Sequence, residues 1–277
     1  YEDAINLLRN QDEYDINLIY VPGISSADHP VLITKTLEMC EDRGDCFAVI
    51  DPVLYDSGIS QVTSEGTKFN SSYGAMYWPW IQVSDDTGMH RWVPGSVGAA
   101  EVFAFNDKTK HPWFAPAGMN RGVINAVQAE RKLLQSTRDT LYRNRINPIA
   151  TFPGQGVTIF GQKTLQKKAS ALDRVNVRRL LIAVKKFIAA SSRFLVFEQN
   201  TPKLRREFLA IANPFLEKVQ SKSGLNAFRV VMDNTNNTPD TIDRNQLVGH
   251  IFLQPTKAAE FITIDFTIER SGAEFSE

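Results

Sequence analysis

INLIYVP (16–22), VLITKTLEMCED (31–42) and CFAVIDP (46–52) decide the fold. The first run is short and apolar and ends at Pro22-Gly23, which reads as a strand followed by a turn. Asp28 is placed to cap a helix with Pro30 in its first turn, and Val31, Leu32, Leu37 and Met39 carry helical spacing through the second run. Arg43-Gly44 ends that helix, and CFAVIDP is a second strand of the fully buried type. Strand, helix, strand is what a parallel sheet with crossover helices requires, so the chain opens as α/β.

Further along, residues 53–74 are rich in Ser, Gly and Thr and read as a long loop. AMYWPWIQV (75–83) is an aromatic strand, SVGAAEVFAF (96–105) a helix after Pro94-Gly95, HPWFAPAGMNRG (111–122) a loop, and QAERKLLQSTRDTLYRNR (128–145) a basic helix. A domain boundary is expected between Arg145 and Pro148, giving units of 1–146 and 147–277. In the second unit, apolar runs around Pro153-Gly154-Gln155-Gly156 suggest a hairpin. A long helix is expected over 174–192, then FLVFEQ (194–199) as a short strand, then a helix over 203–220 that Pro214 must kink or restart. AFRVVMDN, LVGHIFLQ and EFITIDFTIER read as three closing strands. The whole is α+β.

The 277 residues are 43% hydrophobic and 22% charged, the profile of a soluble globular protein, and no run approaches the ~18 apolar residues of a membrane-spanning helix. The chain starts at Tyr1 without an initiator Met or a signal-peptide pattern, and is read as part of a longer protein. Cys40 and Cys46 give no disulfide framework and miss the CxxC spacing, so both are expected as plain thiols in a reducing compartment. Net charge is zero but unevenly placed: residues 121–222 hold 20 Lys/Arg against 6 Asp/Glu. Such segregation presents surfaces complementary to other copies of the chain or to an acidic partner, or else simply solvated helix faces.

No catalytic constellation stands out. Gly156–Thr164 is one residue from a phosphate-binding P-loop, but Gln162 holds the position where Lys belongs and Val-Thr-Ile-Phe looks like a strand. Ser25, Ser26, Asp28 and His29 are hydrolytic residue types, yet they crowd one segment and no GxSxG elbow occurs. His29, His90, His111 and His250 show no metal-ligand spacing. The four Trp lie near loops, where packing is a commoner use than stacking on a ligand. The reading assigns no catalytic residue, cofactor or metal.

Two features rise above this background. At 100° per residue, Arg174, Arg178, Arg179, Lys185, Lys186 and Arg193 share one side of the long helix, and Val177, Leu180, Leu181, Val184, Phe187 and Ile188 the other. An anchored apolar face and an outward basic stripe are therefore expected, with Lys203, Arg205 and Arg206 extending the stripe on the next helix. At the end of the chain, Phe261, Ile262, Ile264, Phe266 and Ile268 are interleaved with Thr263, Asp265, Thr267 and Glu269. That is a half-buried strand, either an ordinary edge strand of its own domain or one that pairs with the sheet edge of another subunit.

AGMNRGVI (117–124), NPIATFPGQGVTIFGQKTL (147–165), DRVNVRRLLIAVKKFI (173–188), FLVFEQNTPKLRREF (194–208) and KAAEFITIDFTI (257–268) stand in the order of corresponding segments in the tail sheath family of contractile-tailed bacteriophages, which the sequence resembles. Lys257-Ala258 departs from that family at a place where a Pro is commoner. The resemblance implies the end of a subtilisin-like, non-catalytic α/β domain, then a C-terminal domain nearest the tail tube with a terminal strand arm. It implies subunits in hexameric rings stacked into a helical sheath, strand arms exchanged between neighbours, and contraction that drives the tube through the host envelope. Implied partners are other copies, the tail tube, and baseplate and terminator proteins, with no nucleic acid and no membrane insertion. The implied location is the phage tail, assembled in the bacterial cytoplasm. A bacteriocin or secretion-apparatus sheath would share these segments; an α/β hydrolase or nucleotide-binding enzyme is the reading from another class.

Overall fold

A computed structural model describes residues 1–260. In chain order the elements are α1 (Glu2–Leu8), β1 (Leu18–Ser25), α2 (Pro30–Arg43), β2 (Phe47–Asp51), α3 (Ile59–Lys68), β3 (Gly74–Trp78), β4 (Ile81–Ser84), β5 (His90–Val93) and α4 (Gly95–Thr109). There follow β6 (Val123–Ile124), β7 (Gln128–Ala129), α5 (Gln135–Arg143), β8 (Ile146–Phe152), β9 (Gly156–Ile159), α6 (Val175–Ser192), α7 (Pro202–Ser221), β10 (Leu225–Val231), α8 (Pro239–Asp243) and β11 (His250–Pro255).

A six-stranded sheet in the order β1-β2-β3-β8-β9-β6 forms the centre. β1, β2, β3 and β8 are parallel, and β9 and β6 close one edge antiparallel. Because side chains alternate across a strand, each central strand feeds two cores. Ala48, Ile50, Met76, Trp78 and Ile146 meet α2, α3 and α5 on one face. Phe47, Val49, Ala75, Tyr77 and Ile149 meet α4 and the start of α6 on the other. This is the α/β layering expected from residues 16–52, and both cysteines are buried in the first core as free thiols. A small sheet, β5-β4-β7, flanks it. α6 and α7 with the antiparallel pair β10–β11 enclose separate apolar clusters. No helix among the described residues is long and apolar enough to cross a membrane.

Several local expectations are corrected. The 53–74 segment is not all loop, since α3 lies within it. Gly66 lets this helix close on the α5–β8 junction: a Cβ there would stand 2.1 Å from the Asn144 carbonyl oxygen. Asp28 does not cap α2. His29 holds that position, and the Asp28 carboxylate accepts a hydrogen bond from Ser25 Oγ instead. Residues 128–129 pair with β4, and the helix begins only at Gln135. FLVFEQ forms a 3-10 turn at Arg193–Leu195 and irregular chain, with no partner strand among the described residues, and leaves Phe194 84% and Phe197 100% exposed. α7 does not restart at Pro214 but continues as one helix to Ser221. Ala210 and Pro214 face solvent, where water can serve the carbonyl that Pro214 leaves without a donor, while Phe208, Ala212, Leu216 and Val219 keep one buried face on both sides of the proline.

Candidate interaction surface

α6 carries the feature singled out in the sequence, and its apolar face behaves as expected. Leu180 and Val184 pack on Leu216, Val219 and Leu225, and Phe187 stacks on Phe215 with ring centroids 3.7 Å apart. The opposite face is not an outward stripe. Arg178 is 7% exposed and Arg179 5% exposed, both held against the sheet domain. Arg178 donates to Ser72 Oγ and lies 4.1 Å from the centroid of Tyr73, and burial pulls its guanidinium below the usual arginine range. Arg179 ion-pairs with Asp107 and lies 4.8 Å from the Phe103 centroid. Lys186 donates to Asp15, to Asn17 Oδ1 and, at 2.8 Å, to the Ile16 carbonyl. That hydrogen bond holds Asp15 below the usual carboxylate range. Lys185 Nζ occupies the space a side chain on Gly44 would need, at the C-terminus of α2, where a cation is favoured. Arg193 reaches Asp12 at 3.0 Å, and Arg174 reaches Asp173 at 2.9 Å.

The basic stripe is therefore a seam inside the chain, where Arg179, Lys186 and Arg193 pair with acidic residues from outside the basic segment. A helical wheel shows which residues share a face but not what stands opposite it. Arg205, expected on the continuation of the stripe, is buried on α7 with Asn200 and Asn234, 2.7 Å from Asn234 Oδ1. Lys185, Lys203 and Arg206 are the exposed members on the two helices, with Arg193 exposed in the turn after α6.

A second cluster gathers where the described chain ends. Glu260 Oε1 accepts from Arg174 Nε at 2.7 Å and from Gln162 Nε2 at 3.2 Å, and Oε2 accepts from Tyr142 Oη at 2.9 Å. Lys163 Nζ stands 4.5 Å from the Tyr142 ring centroid. The cluster borders an open groove of about 740 Å³ between Trp113, Phe114, α5, the end of β9 and residues 256–260. Ala259-Glu260 and Asp173-Arg174 lie 86 positions apart, and nothing in the sequence signals that they meet. Beside the groove, β10–β11 form a two-stranded sheet among the described residues. Phe228, Val230, Ile251 and Leu253 pack inward, and Phe252 is 58% exposed on the outer face. The terminal strand expected from Phe261 to Glu269 lies outside the described residues.

The quoted segments have structural work. Asn147 donates to the Met76 carbonyl at 3.1 Å and the Lys163 carbonyl at 2.8 Å, and accepts from Lys163 N at 2.6 Å, tying β3 to the chain leaving β9. A Cβ on Gly161 would lie 2.9 Å from Pro148. Gly118 N donates to the Ile159 carbonyl and Ile159 N to the Gly122 carbonyl, each at 2.8 Å, so AGMNRG locks onto β9. Gly156–Ile159 is a strand of the β8–β9 hairpin, as its near-miss to a P-loop required. Ser26 Oγ bonds Glu65 at 2.9 Å in the core. No grouping of metal-ligating residues occurs among the described residues.

Residues 1–165 match the family model of the phage tail sheath protein central domain, and residues 167–269 that of the phage tail sheath C-terminal domain. The chain belongs to the phage tail sheath family. It is 40% identical over 189 residues to the tail sheath protein of Vibrio phage KVP40, covering 68% of this chain and 28% of that protein. It is 34% identical over 232 residues to the tail sheath protein of Enterobacteria phage T4, covering 83% of this chain and 35% of that protein. The matches thus span about a third or less of these relatives' length. Its fold is like that of the PVC sheath complex of an extracellular contractile injection system in the contracted state, with TM-score 0.80 at 24% identity over 95% of this chain and 74% of that one. The anti-feeding prophage helical sheath in the contracted state gives TM-score 0.76 at 22% identity over 95% and 73%.

Proposed function

We propose that this chain is part of a structural subunit that polymerises into the contractile sheath of a phage tail, around the tail tube, and contracts to drive the tube through the host envelope. Its job is assembly and not catalysis: Asn147, Gly161, Gly118 and Gly122 in the family segments bind the chain to itself. The six-stranded unit is the subtilisin-like part of the sheath. The unit formed by α6, α7 and β10–β11 is the C-terminal domain. The division was expected at 146/147; the pairing of β8 and β9 in the central sheet and the meeting of the two family matches support a reading nearer 165. Self-association in stacked rings, the tube, the baseplate and the terminator are its partners, and the virion tail, built in the host cytoplasm, is its place. The phage relatives favour a virion sheath over that of a bacteriocin or secretion apparatus, whose fold this chain equally shares.

The observation that carries this reading is the β10–β11 pair. Two strands alone are marginal in water, and this pair packs one face and leaves its outer edges unpaired among the described residues. The alternating residues 261–269 are the added strand such an edge accepts from a neighbour, with the Ile face fixing register. For the tube, the exposed cations Lys185, Lys203 and Arg206, with Arg193, are the members of the basic set that remain able to face an acidic surface. Deleting residues 259–277 from the full-length protein should leave a folded, soluble monomer that does not polymerise. Tubes formed by the truncated protein, or its unfolding, would refute the link.

A further inference from the structure

Residue 260 lies only five positions beyond β11, yet it is not beside the hairpin. Thr256 N still donates to the Gly224 carbonyl at 3.2 Å, residues 257–259 are exposed, and Glu260 is drawn onto the sheet domain. Its three donors come from separate elements: Tyr142 from α5, Gln162 from the chain leaving β9, and Arg174 from the N-cap of α6. Each is well fixed. Tyr142 follows the fully buried Leu141, Gln162 is 3% exposed, and Arg174 is held a second time by Asp173. Both carboxylate oxygens are engaged, one of them twice, and a charge-assisted set of this kind is directional as well as strong. A strand returning onto β11 through a tight two-residue hairpin would turn directly after Pro255. This chain instead crosses to α5 and is clamped there.

Building on the strand-exchange reading above, we propose that Glu260 is a positioning residue for intersubunit pairing. Its clamp holds the base of the C-terminal segment away from the edges of its own β10–β11 hairpin, so that the segment pairs with a second copy of this chain. An edge strand and a complementary segment in one chain are open to closing in cis, and such closure would consume the link. The clamp disfavours it by fixing where residue 261 starts.

The test uses the full-length protein with Glu260→Ala, and Glu260→Gln as a shape-conserving second variant should the first not fold. Polymerisation is followed by sedimentation and electron microscopy. Hydrogen exchange of residues 225–231 and 250–255 is measured in the soluble monomer. The expected result is a rise of about tenfold in the concentration needed to polymerise, equivalent to ~1.4 kcal/mol. It should be accompanied by slower exchange at the hairpin as the released segment pairs in cis. Unchanged polymerisation overturns the proposal, and so does impaired polymerisation with unchanged or faster hairpin exchange, which would mark mere loss of structure. If the 259–277 deletion abolishes assembly while Glu260→Ala assembles normally, the clamp fails and strand exchange stands. If the deletion assembles, strand exchange itself has failed.

Discussion

Replacing Arg179 tests whether the basic stripe is a seam or an outward surface. The side chain is 5% exposed, so truncation to Ala removes two buried methylenes at ~0.8 kcal/mol each, about 1.6 kcal/mol in all, the stem beneath the guanidinium that rests on Phe103. The charge-assisted hydrogen bond to Asp107 adds about 1 kcal/mol, at the low end for such bonds because Asp107 is 34% exposed and solvent answers part of its charge. Arg179→Ala should therefore cost about 2–3 kcal/mol. Arg179→Met keeps the stem, gives up the ion pair and escapes the cost of burying a guanidinium, so it should cost about 1 kcal/mol. Charge reversal at Arg179, which an exposed stripe would tolerate in the monomer, should instead unfold or severely destabilise it. Urea denaturation followed by circular dichroism and tryptophan fluorescence measures all three. Equal costs for Ala and Met, or a cost below ~0.5 kcal/mol for Ala, would show that Arg179 is not packed in the seam, because exposed substitutions lie within that range.

Two further predictions concern the sheet domain. Asp51 is buried at the end of β2, accepting from Ser96 N at 2.9 Å and Ser96 Oγ at 2.6 Å, and burial pushes its carboxyl up to about 7. Its folded value lies above its unfolded one, so the contribution is full below about pH 4 and is lost as pH rises towards 7; Asp51→Asn should remove this loss, making the stability difference between variant and parent grow by up to ~1.4 kcal/mol per pH unit between pH 4 and 7 and then level off, as read from urea midpoints across pH. Gly66→Ala places a methyl against the Asn144 carbonyl and Ile146, and should cost about 1–3 kcal/mol by thermal unfolding; a change within experimental error would mean that α3 does not close on the α5–β8 junction as described.

How far the sequence could be read depended on whether an element's own residues decided it. CFAVIDP became β2 because a buried parallel strand needs a continuous apolar run, whereas INLIYVP became β1, a half-buried edge strand that runs on through Pro22-Gly23 to Ser25, past the turn expected there. The β8–β9 hairpin was legible from its turn glycines, and Gly154 and Gly156 take φ of 73° and 77°, which glycine adopts without penalty. α3 was hidden because its Ser, Gly and Thr have low helix propensity; burial of Val62, Glu65 and Gly66 against neighbours distant in sequence outweighs that. FLVFEQ has strand composition, but a strand exists only where an edge can pair with it. The apolar side of α6 was legible from spacing alone. Its basic side was assigned to solvent because charge is usually exposed, whereas Asp107, Asp15 and Asp12 lie 72, 171 and 181 positions away from their partners. The negative surplus outside residues 121–222 was the available signal, and it pointed to complementarity without saying that the complement was internal.

The seam also grades along α6. At the N-terminal end Arg178 and Arg179 are enclosed, with aromatic faces under both guanidinium groups, so salt and side-chain freedom have little purchase on them. Lys186 is intermediate: its side chain is 23% exposed but its partner Asp15 is 86% exposed. At the far end Arg193 and Asp12 are 68% and 87% exposed, an ion pair of the kind worth ~0–1 kcal/mol and easily screened. α6 is thus fixed to the sheet domain at its start and progressively released towards the turn that carries Phe194 and Phe197. Arg174, at the fixed end, also holds Glu260. The base of the C-terminal segment and the most firmly anchored turn of the helix are therefore one mechanical unit. A pull on that segment would reach the buried part of the seam first, and not the exposed end. That arrangement suits the strand-linked, contracting sheath proposed above.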